Sequence, residues 1–266
     1  MKKTKIIKAL PSVLAPAIFG AVAIIFWQTQ IIHRVANLDT VILPLPTRII
    51  EIIVGDMGTF WRQASSTVTV AVFGLAAGSA FGFAVALTAS LGGRFGLGGL
   101  TVVSAFNAVP LVALAPVVNS WTRGVSPEVS VRSTAAKIIV VMIACTVSMS
   151  VNAYRGLTDV KPFSEDLLKS YAAGKTAVFI KLRLPNCVPY IFTALRISVP
   201  ASVIGALVSE YFAEETVGVG RQIRENIVKG QYPTAWSYIL VACAIGIAFY
   251  LVLVLAESRL TRHRKV

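Results

Sequence analysis

Acidic residues are scarce in this chain: Asp and Glu total 12 of 266 residues, against 25 Lys and Arg, and all charged residues together make up 14%. A soluble domain carries about a quarter charged residues. With 56% hydrophobic content and a mean hydropathy of +0.75, the sequence is that of a polytopic membrane protein. Histidine is nearly absent, and His33 and His263 fall in distant segments, so neither a metal cluster nor a catalytic pair can be built from them. The three cysteines, Cys145, Cys187 and Cys243, are far apart and two lie in apolar runs, which points to buried thiols and away from a disulfide framework. There is no tandem repeat, no low-complexity tract, no soluble insert and no nucleophile with a base beside it. A membrane-embedded enzyme is excluded on that ground.

What is present is a series of apolar runs. A hydrocarbon core of about 30 Å needs about 20 apolar residues per helix. Six segments meet that requirement, near 12–32, 63–89, 97–120, 136–154, 190–213 and 235–256. The basic start MKKTKIIKAL leads straight into the first run and no small-residue cleavage site follows, so this run is expected to remain as a span. In the second, Gly74, Gly78 and Gly82 recur every four residues and form one small-residue stripe for a neighbouring helix.

The basic residues set the expected orientation. With the N-terminus in the cytoplasm, 16 of the 25 lie inside, including Lys2, Lys3, Lys5, Lys8, Arg94 and the tail from Arg259 to Lys265, beside four acids. The outer segments hold nine basic residues and seven acids. Much of the net charge of +13 is therefore topology, and nucleic-acid binding is not needed to explain it. The outer segment 33–62 contains an amphipathic piece, Arg48 to Trp61, expected to lie along the interface, and 121–135 reads as a polar outer loop.

The longest polar interruption, Arg155 to Arg196, is expected inside. Phe163, Leu167, Leu168, Tyr171, Val178, Phe179 and Leu182 recur at helical spacing among Lys169, Lys175, Lys181 and Arg183, which predicts short amphipathic helices lying against a surface. Gly174-Lys175-Thr176 mimics the end of a phosphate-binding loop, but Lys169 stands where the first glycine belongs and no strand pattern precedes it. Gly218-Val219-Gly220 lacks the third glycine of a dinucleotide loop and reads as an ordinary loop.

Asp166-Leu-Leu-Lys-Ser-Tyr-Ala172, followed after eleven residues by Leu184-Pro185, resembles the cytoplasmic signature loop of bacterial binding-protein-dependent ABC importer permeases: Glu-Ala-Ala, three residues, Gly, nine residues, Ile-x-Leu-Pro. Asp166 stands for the Glu, Leu167 and Leu168 for the alanines, Ala172 for the Gly and Leu182 for the Ile. Without the glycine, either the turn keeps a negative φ or Ala172 is strained. Asn107 to Pro116 and Pro189 to Arg196 are similar to segments of the nitrate/sulfonate/taurine/bicarbonate branch, and the Asp-Leu-Leu-Lys-Ser-Tyr wording is closest to importers of pyrimidine precursors or riboflavin. The chain departs from the family at 121–137, which is longer and carries Arg123, Glu128 and Arg132.

The resemblance implies an all-α membrane protein, a single permease domain over 1–266 with its core at about 60–256, six transmembrane helices of the type I ABC importer fold, and a coupling-helix loop at about 155–190. It implies a bacterial inner-membrane protein with both termini cytoplasmic, working with a second copy of itself, two ATP-binding subunits and an external solute-binding protein. ATP and Mg would be held by the ATPase subunits and no cofactor or metal by this chain, which would have no catalytic residues. The coupling residues carried over are Asp166, Leu167, Leu168, Lys169, Tyr171, Ala172, Leu184 and Pro185. For the substrate pathway the candidates are Asn107, Pro110, Asn119, Ser209 and Glu210, the only acid inside an apolar run. Glu210 has two open readings, a pathway carboxylate or one bonded to a neighbouring helix. The alternative function, a secondary transporter or channel working without an ATPase, would call for an inverted repeat or paired ionisable residues at mid-membrane, and neither is visible.

Overall fold

A computed structural model describes residues 2–260. The side chains of 2–13 and of Arg94, and the tail with Arg262, His263, Arg264 and Lys265, lie outside the described residues. In chain order the helices are α1 (Lys2–Gln28), α2 (Ile31–Ala36), α3 (Pro46–Gly55), α4 (Met57–Leu91), α5 (Gly93–Ala105), α6 (Leu111–Trp121), α7 (Val129–Thr158), α8 (Ser164–Ser170), α9 (Lys175–Val178), α10 (Leu184–Phe212), α11 (Val219–Val228) and α12 (Tyr232–Leu260). No strand occurs among the described residues.

Four helical stretches are long and apolar enough to cross a membrane: α4, α7, α12, and α10 extended back to Lys175. They correspond to the expected second, fourth, sixth and fifth spans. The expected first span falls in α1, of which Leu14–Gln28 is an apolar helix among the described residues. The expected third span, 97–120, is not one straight helix. Phe95–Ala108 and Leu111–Gly124 meet at 103°. Pro110 is the cause: its ring drives Val109 out of the helical region to φ −80°, ψ 119°, and Pro110 itself is extended at ψ 124°.

The core explains why this bent pair still crosses. Gly74, Gly78 and Gly82 of α4 abut Val141, Cys145 and Met149 of α7, so the two helices step together in the same direction. A Cβ on Gly78 would come within 2.5 Å of the Met142 carbonyl oxygen, and one on Gly82 equally near that of Thr146, which leaves room only for glycine. Because α4 and α7 are parallel, the connection between them must return across the same thickness, and α5 with α6 makes that return. Leu111 lies with Val141 against Gly205, which places the break midway along the bundle.

The packed centre is α4, α7 and α10, with α11 and α12 against it. Its buried residues are mostly small, among them Ala71, Ala86, Ala153, Ala194 and Ala206, as expected where lipid supplies no hydrophobic drive and close backbone approach must hold helices together. The amphipathic piece at 48–61 resolves into α3 and the first turn of α4, divided at Asp56, whose carboxylate accepts from the Thr59 N–H as the N-cap of α4. Around it, Trp27 stacks edge-on against Trp236, whose indole donates to Ile42 O, and the His33 ring donates to Leu43 O.

Candidate functional site

At one end of the bundle α7 runs into the signature loop. Its last turn is tied to the start of α10: Asn186 donates to the Gly156 and Asp159 carbonyls at 2.9 and 3.0 Å, and the Cys187 thiol lies 3.3 Å from Ala153 O. Gly156 is required there, since a Cβ would meet Cys187 Cα at 2.8 Å. Two long helices are thus joined directly beneath the loop.

Between them, α8 projects. Phe163, Leu167 and Tyr171 follow one another at i, i+4 and i+8 and are 83%, 59% and 78% exposed, so the apolar stripe of α8 faces away from its own chain. Val178 is buried and Phe179 and Leu182 half-buried, so the second half of the periodic stretch packs inward. The brace is Arg183, which pairs with Glu165 at 2.8 Å, both half-buried. Asp166 is exposed and touches only Lys169, at 3.3 Å. The sequence pattern singled out Asp166; the residue that holds the helix is its neighbour Glu165, detectable only from its partner eighteen positions on.

The close of α8 settles the question left by Ala172. Ala173 N–H donates to Leu168 O and Ala172 N–H to Lys169 O, the paired bonds of a Schellman cap, with Ala172 at φ 57°. A glycine would be unstrained in this position, and an alanine bears a cost of roughly 1 kcal/mol. Beyond it, Phe179–Arg183 forms a π-helical turn in which Leu184 N–H reaches back to Phe179 O. Pro185 has no N–H to continue the ordinary ladder, and widening by one residue is the local remedy. Leu184 and Pro185 therefore sit in the first turn of α10, across the loop from Asp166, Leu167, Leu168, Lys169, Tyr171 and Ala172.

The five pathway candidates do not come together. Asn107 and Pro110 are exposed at the break between α5 and α6. Asn119 donates to Phe212 O at 3.2 Å. Ser209 is buried and donates to Ala206 O. Glu210 is fully buried among α4, α10 and α11, accepting from Thr67 at 3.0 Å and from the Gly220 N–H at 2.9 Å.

That network gives Gly218-Val219-Gly220 a role. Three consecutive N–H groups at the start of α11 donate in turn to Gln63 Oε1, Thr67 Oγ1 and Glu210 Oε2, at 2.8, 2.9 and 2.9 Å. A helix N-terminus leaves such donors unpaired, and here they hold the buried Glu210 carboxyl group through Oε2, while Oε1 has no partner among the described residues. Gly218 is at φ 117°, and a Cβ on it would collide with the Glu210 carboxyl group. Gln63 and Thr67 carried no signal in the sequence, being two polar residues among many in α4.

At the end of the bundle distal to the signature loop, the 121–137 segment meets the 213–218 turn. Lys137, 1% exposed, donates to Glu215 at 2.9 Å and to Val217 O at 3.3 Å. Glu214 is shared by Arg132, at 2.8 Å, and Arg123, at 3.3 Å. The Arg132 guanidinium holds the Glu214 carboxyl below its ordinary pKa.

Comparison with known proteins follows this geometry. Residues 74–264 match the family described as binding-protein-dependent transport system inner membrane component. The chain is similar to the formylaminopyrimidine transport permease protein of Halalkalibacterium halodurans, 25% identical over 253 residues, covering 95% of this chain and 96% of that one. It is also similar to a probable ABC transporter permease protein of Haemophilus influenzae, 23% identical over 237 residues, or 89% and 92% of the two chains. A nitrate import permease protein of Leptolyngbya laminosa is 27% identical over 172 residues, 62% of this chain and 55% of that protein.

Proposed function

The chain belongs to the binding-protein-dependent transport system inner membrane components, as a transmembrane subunit of an ABC importer, and from that premise we propose how its parts divide the work. The alternative of a self-sufficient transporter or channel finds no support. In our reading α8 is the coupling helix. Its exposed stripe, Phe163, Leu167 and Tyr171, enters a groove of an ATPase subunit that binds ATP and Mg, while this chain does no catalysis. The observation that carries the reading is that stripe, exposed on a helix otherwise braced to α10 through Glu165–Arg183. With the ends of α7 and α10 joined beneath it, α8 moves only with the helices that line the path, and closure of the ATPases is transmitted as a rigid-body rotation.

Two copies of the chain form the pore, with Asn107 and Pro110 at the break lining the path. A discontinuous helix leaves backbone carbonyls unpaired at mid-membrane, a usable lining only beside a polar cavity. The charge distribution supports a signature loop and termini in the cytoplasm and a distal end outside, where a solute-binding protein delivers a small solute.

The experiment is co-purification. Replacing Leu167 and Tyr171 together by Asp leaves α8 folded, since neither is buried. The complex is expected to lose its ATPase subunits while the permease stays in the membrane. Retention of a stoichiometric ATPase by that variant would overturn the assignment.

A further inference from the structure

The segment 121–137, which has no part in coupling or in the break itself, supplies three of the cations that meet the 213–218 turn; Arg221 of α11 adds a fourth, donating to Ala213 O at 3.0 Å. The contacts are graded. Lys137 on Glu215 is buried, and Arg132 on Glu214 is short and half-buried; both cations belong to α7. Arg123 on Glu214 is longer, at 3.3 Å, and Arg123 is 67% exposed; it belongs to the 3-10 turn, Thr122–Gly124, that ends α6. The other polar tie from α6 to this region is Asn119 on Phe212 O, at 3.2 Å. The 213–218 turn is thus fixed firmly to α7 and loosely to α6. The helix with the weaker polar ties is the outer half of the broken pair, interrupted at Pro110 below and containing Pro116 within, and its apolar face, Ala115 and Val118, packs on Ala136 and Val140 of α7.

We propose that Asn119 and Arg123 form a releasable clasp that holds α6 against the Phe212–Glu214 carbonyl and carboxylate, and that its release lets α6 swing about Pro110 and open the distal end of the pathway. Arg132 and Lys137 keep the turn on α7 throughout, so the receiving half of the clasp does not move when α6 leaves. The Arg132 guanidinium holds the Glu214 carboxyl below its ordinary pKa, so Glu214 is charged at neutrality. The clasp therefore responds to ionic strength and to charged surfaces brought against it, and not to pH near neutrality. The opening part of this inference rests on the reading of the break as pathway lining; the clasp itself does not.

Two measurements separate them, both in the assembled importer with Cys145, Cys187 and Cys243 replaced by Ala. Spin labels at Trp121→Cys and Val228→Cys, exposed positions on α6 and α11, report the clasp directly. Arg123→Gln with Asn119→Ala is expected to broaden and lengthen the distance distribution, whereas Arg132→Gln leaves it narrow. An unchanged distribution in the double variant overturns the clasp. Labelling of Val112→Cys, in the first turn of α6, by a membrane-impermeant thiol reagent reports the pathway. Its rate is expected to rise about tenfold in the double variant, the factor that follows when one exposed ion pair and one neutral hydrogen bond no longer hold the closed form. A broadened distribution with unchanged labelling keeps the clasp and overturns the opening it was assigned. Arg123→Lys, which keeps the charge, is expected to retain the narrow distribution, and broadening equal to that of the double variant overturns an ionic clasp.

Discussion

The two ends of this molecule are built on opposite terms. At the distal end the polar groups are paired within the chain: Glu210 with Thr67 and Gly220, Glu215 with Lys137, Glu214 with two arginines. At the signature end an apolar stripe stands exposed on a seven-residue helix held by one half-buried ion pair and closed by a strained alanine. Buried polar groups in a low-dielectric interior are costly unless satisfied, so the distal end depends on these pairings to fold, even with Glu210 Oε1 and Arg132 Nε left without a partner among the described residues. The stripe on α8 costs little while it waits, since a few exposed apolar side chains are ordinary at a surface, and it gains when covered. One end is finished by folding and the other, in the proposed reading, by a partner.

The sharpest way to break that contrast is at Thr67. Thr67→Val removes the donor to Glu210 and the acceptor of the Val219 N–H at once, leaving the Val219 N–H unpaired and Glu210 Oε2 with Gly220 alone. It is expected to cost about 2–5 kcal/mol, read as a large drop in the thermal midpoint of the detergent-solubilised protein. A drop no larger than that of a loop variant would remove the distinction between the ends.

Arg183→Ala acts on the other side. A half-buried pair contributes on the order of 1 kcal/mol, so the midpoint should move little. Hydrogen exchange in 164–170 should rise while the rest of the bundle is unaffected, and transport-driven ATP hydrolysis should fall. Equal loosening of α7 and α10 would show that the brace is not local. Ala172→Gly tests the cap by improving it, relieving a positive φ worth roughly 1 kcal/mol, less the entropy a glycine loses on folding. Slower exchange in 168–173 is the expected result, and faster exchange would contradict the strain.

The smallest effect is acidic. Because Glu214 is lowered in the folded state, its pairing stabilises above the unfolded carboxylate value, about pH 4, and is lost as pH falls through the lower folded value. The wild type should exceed Glu214→Gln in thermal midpoint at neutral pH and converge with it in acid. A gap that persists below both values would mean the pair is not what separates them.

Four of the expected spans were legible because a run of about 20 apolar residues has few other uses, and the small-residue stripe at Gly74, Gly78 and Gly82 announced the α4–α7 contact. The short amphipathic helices expected in the signature loop are found as α8, which overlaps the motif at Asp166 to Ala172. The break at Pro110 was hidden by its own setting, since a proline within 24 apolar residues reads as well as a kink as it does as a corner. Glu210 was visible as an oddity, but its partners come from α4, 143 residues away for Thr67, and from a glycine doublet dismissed as a loop. Glu165 was passed over for Asp166 because the motif marks a position, whereas only the folded loop brings Arg183 to one carboxylate and not the other.

What the sequence determined by itself was the surroundings each segment would meet: lipid for the apolar runs, water for the charged loops, and a surface for an amphipathic stretch too regular to be a tether. Those are sums over neighbouring residues, and they survive without knowledge of the fold. The tertiary structure decided which polar atoms are complete. The N–H groups of Gly218, Val219 and Gly220 find Gln63, Thr67 and Glu210 only after three helices have packed. A hydrogen bond across such sequence distances is fixed by geometry, and no local pattern records it.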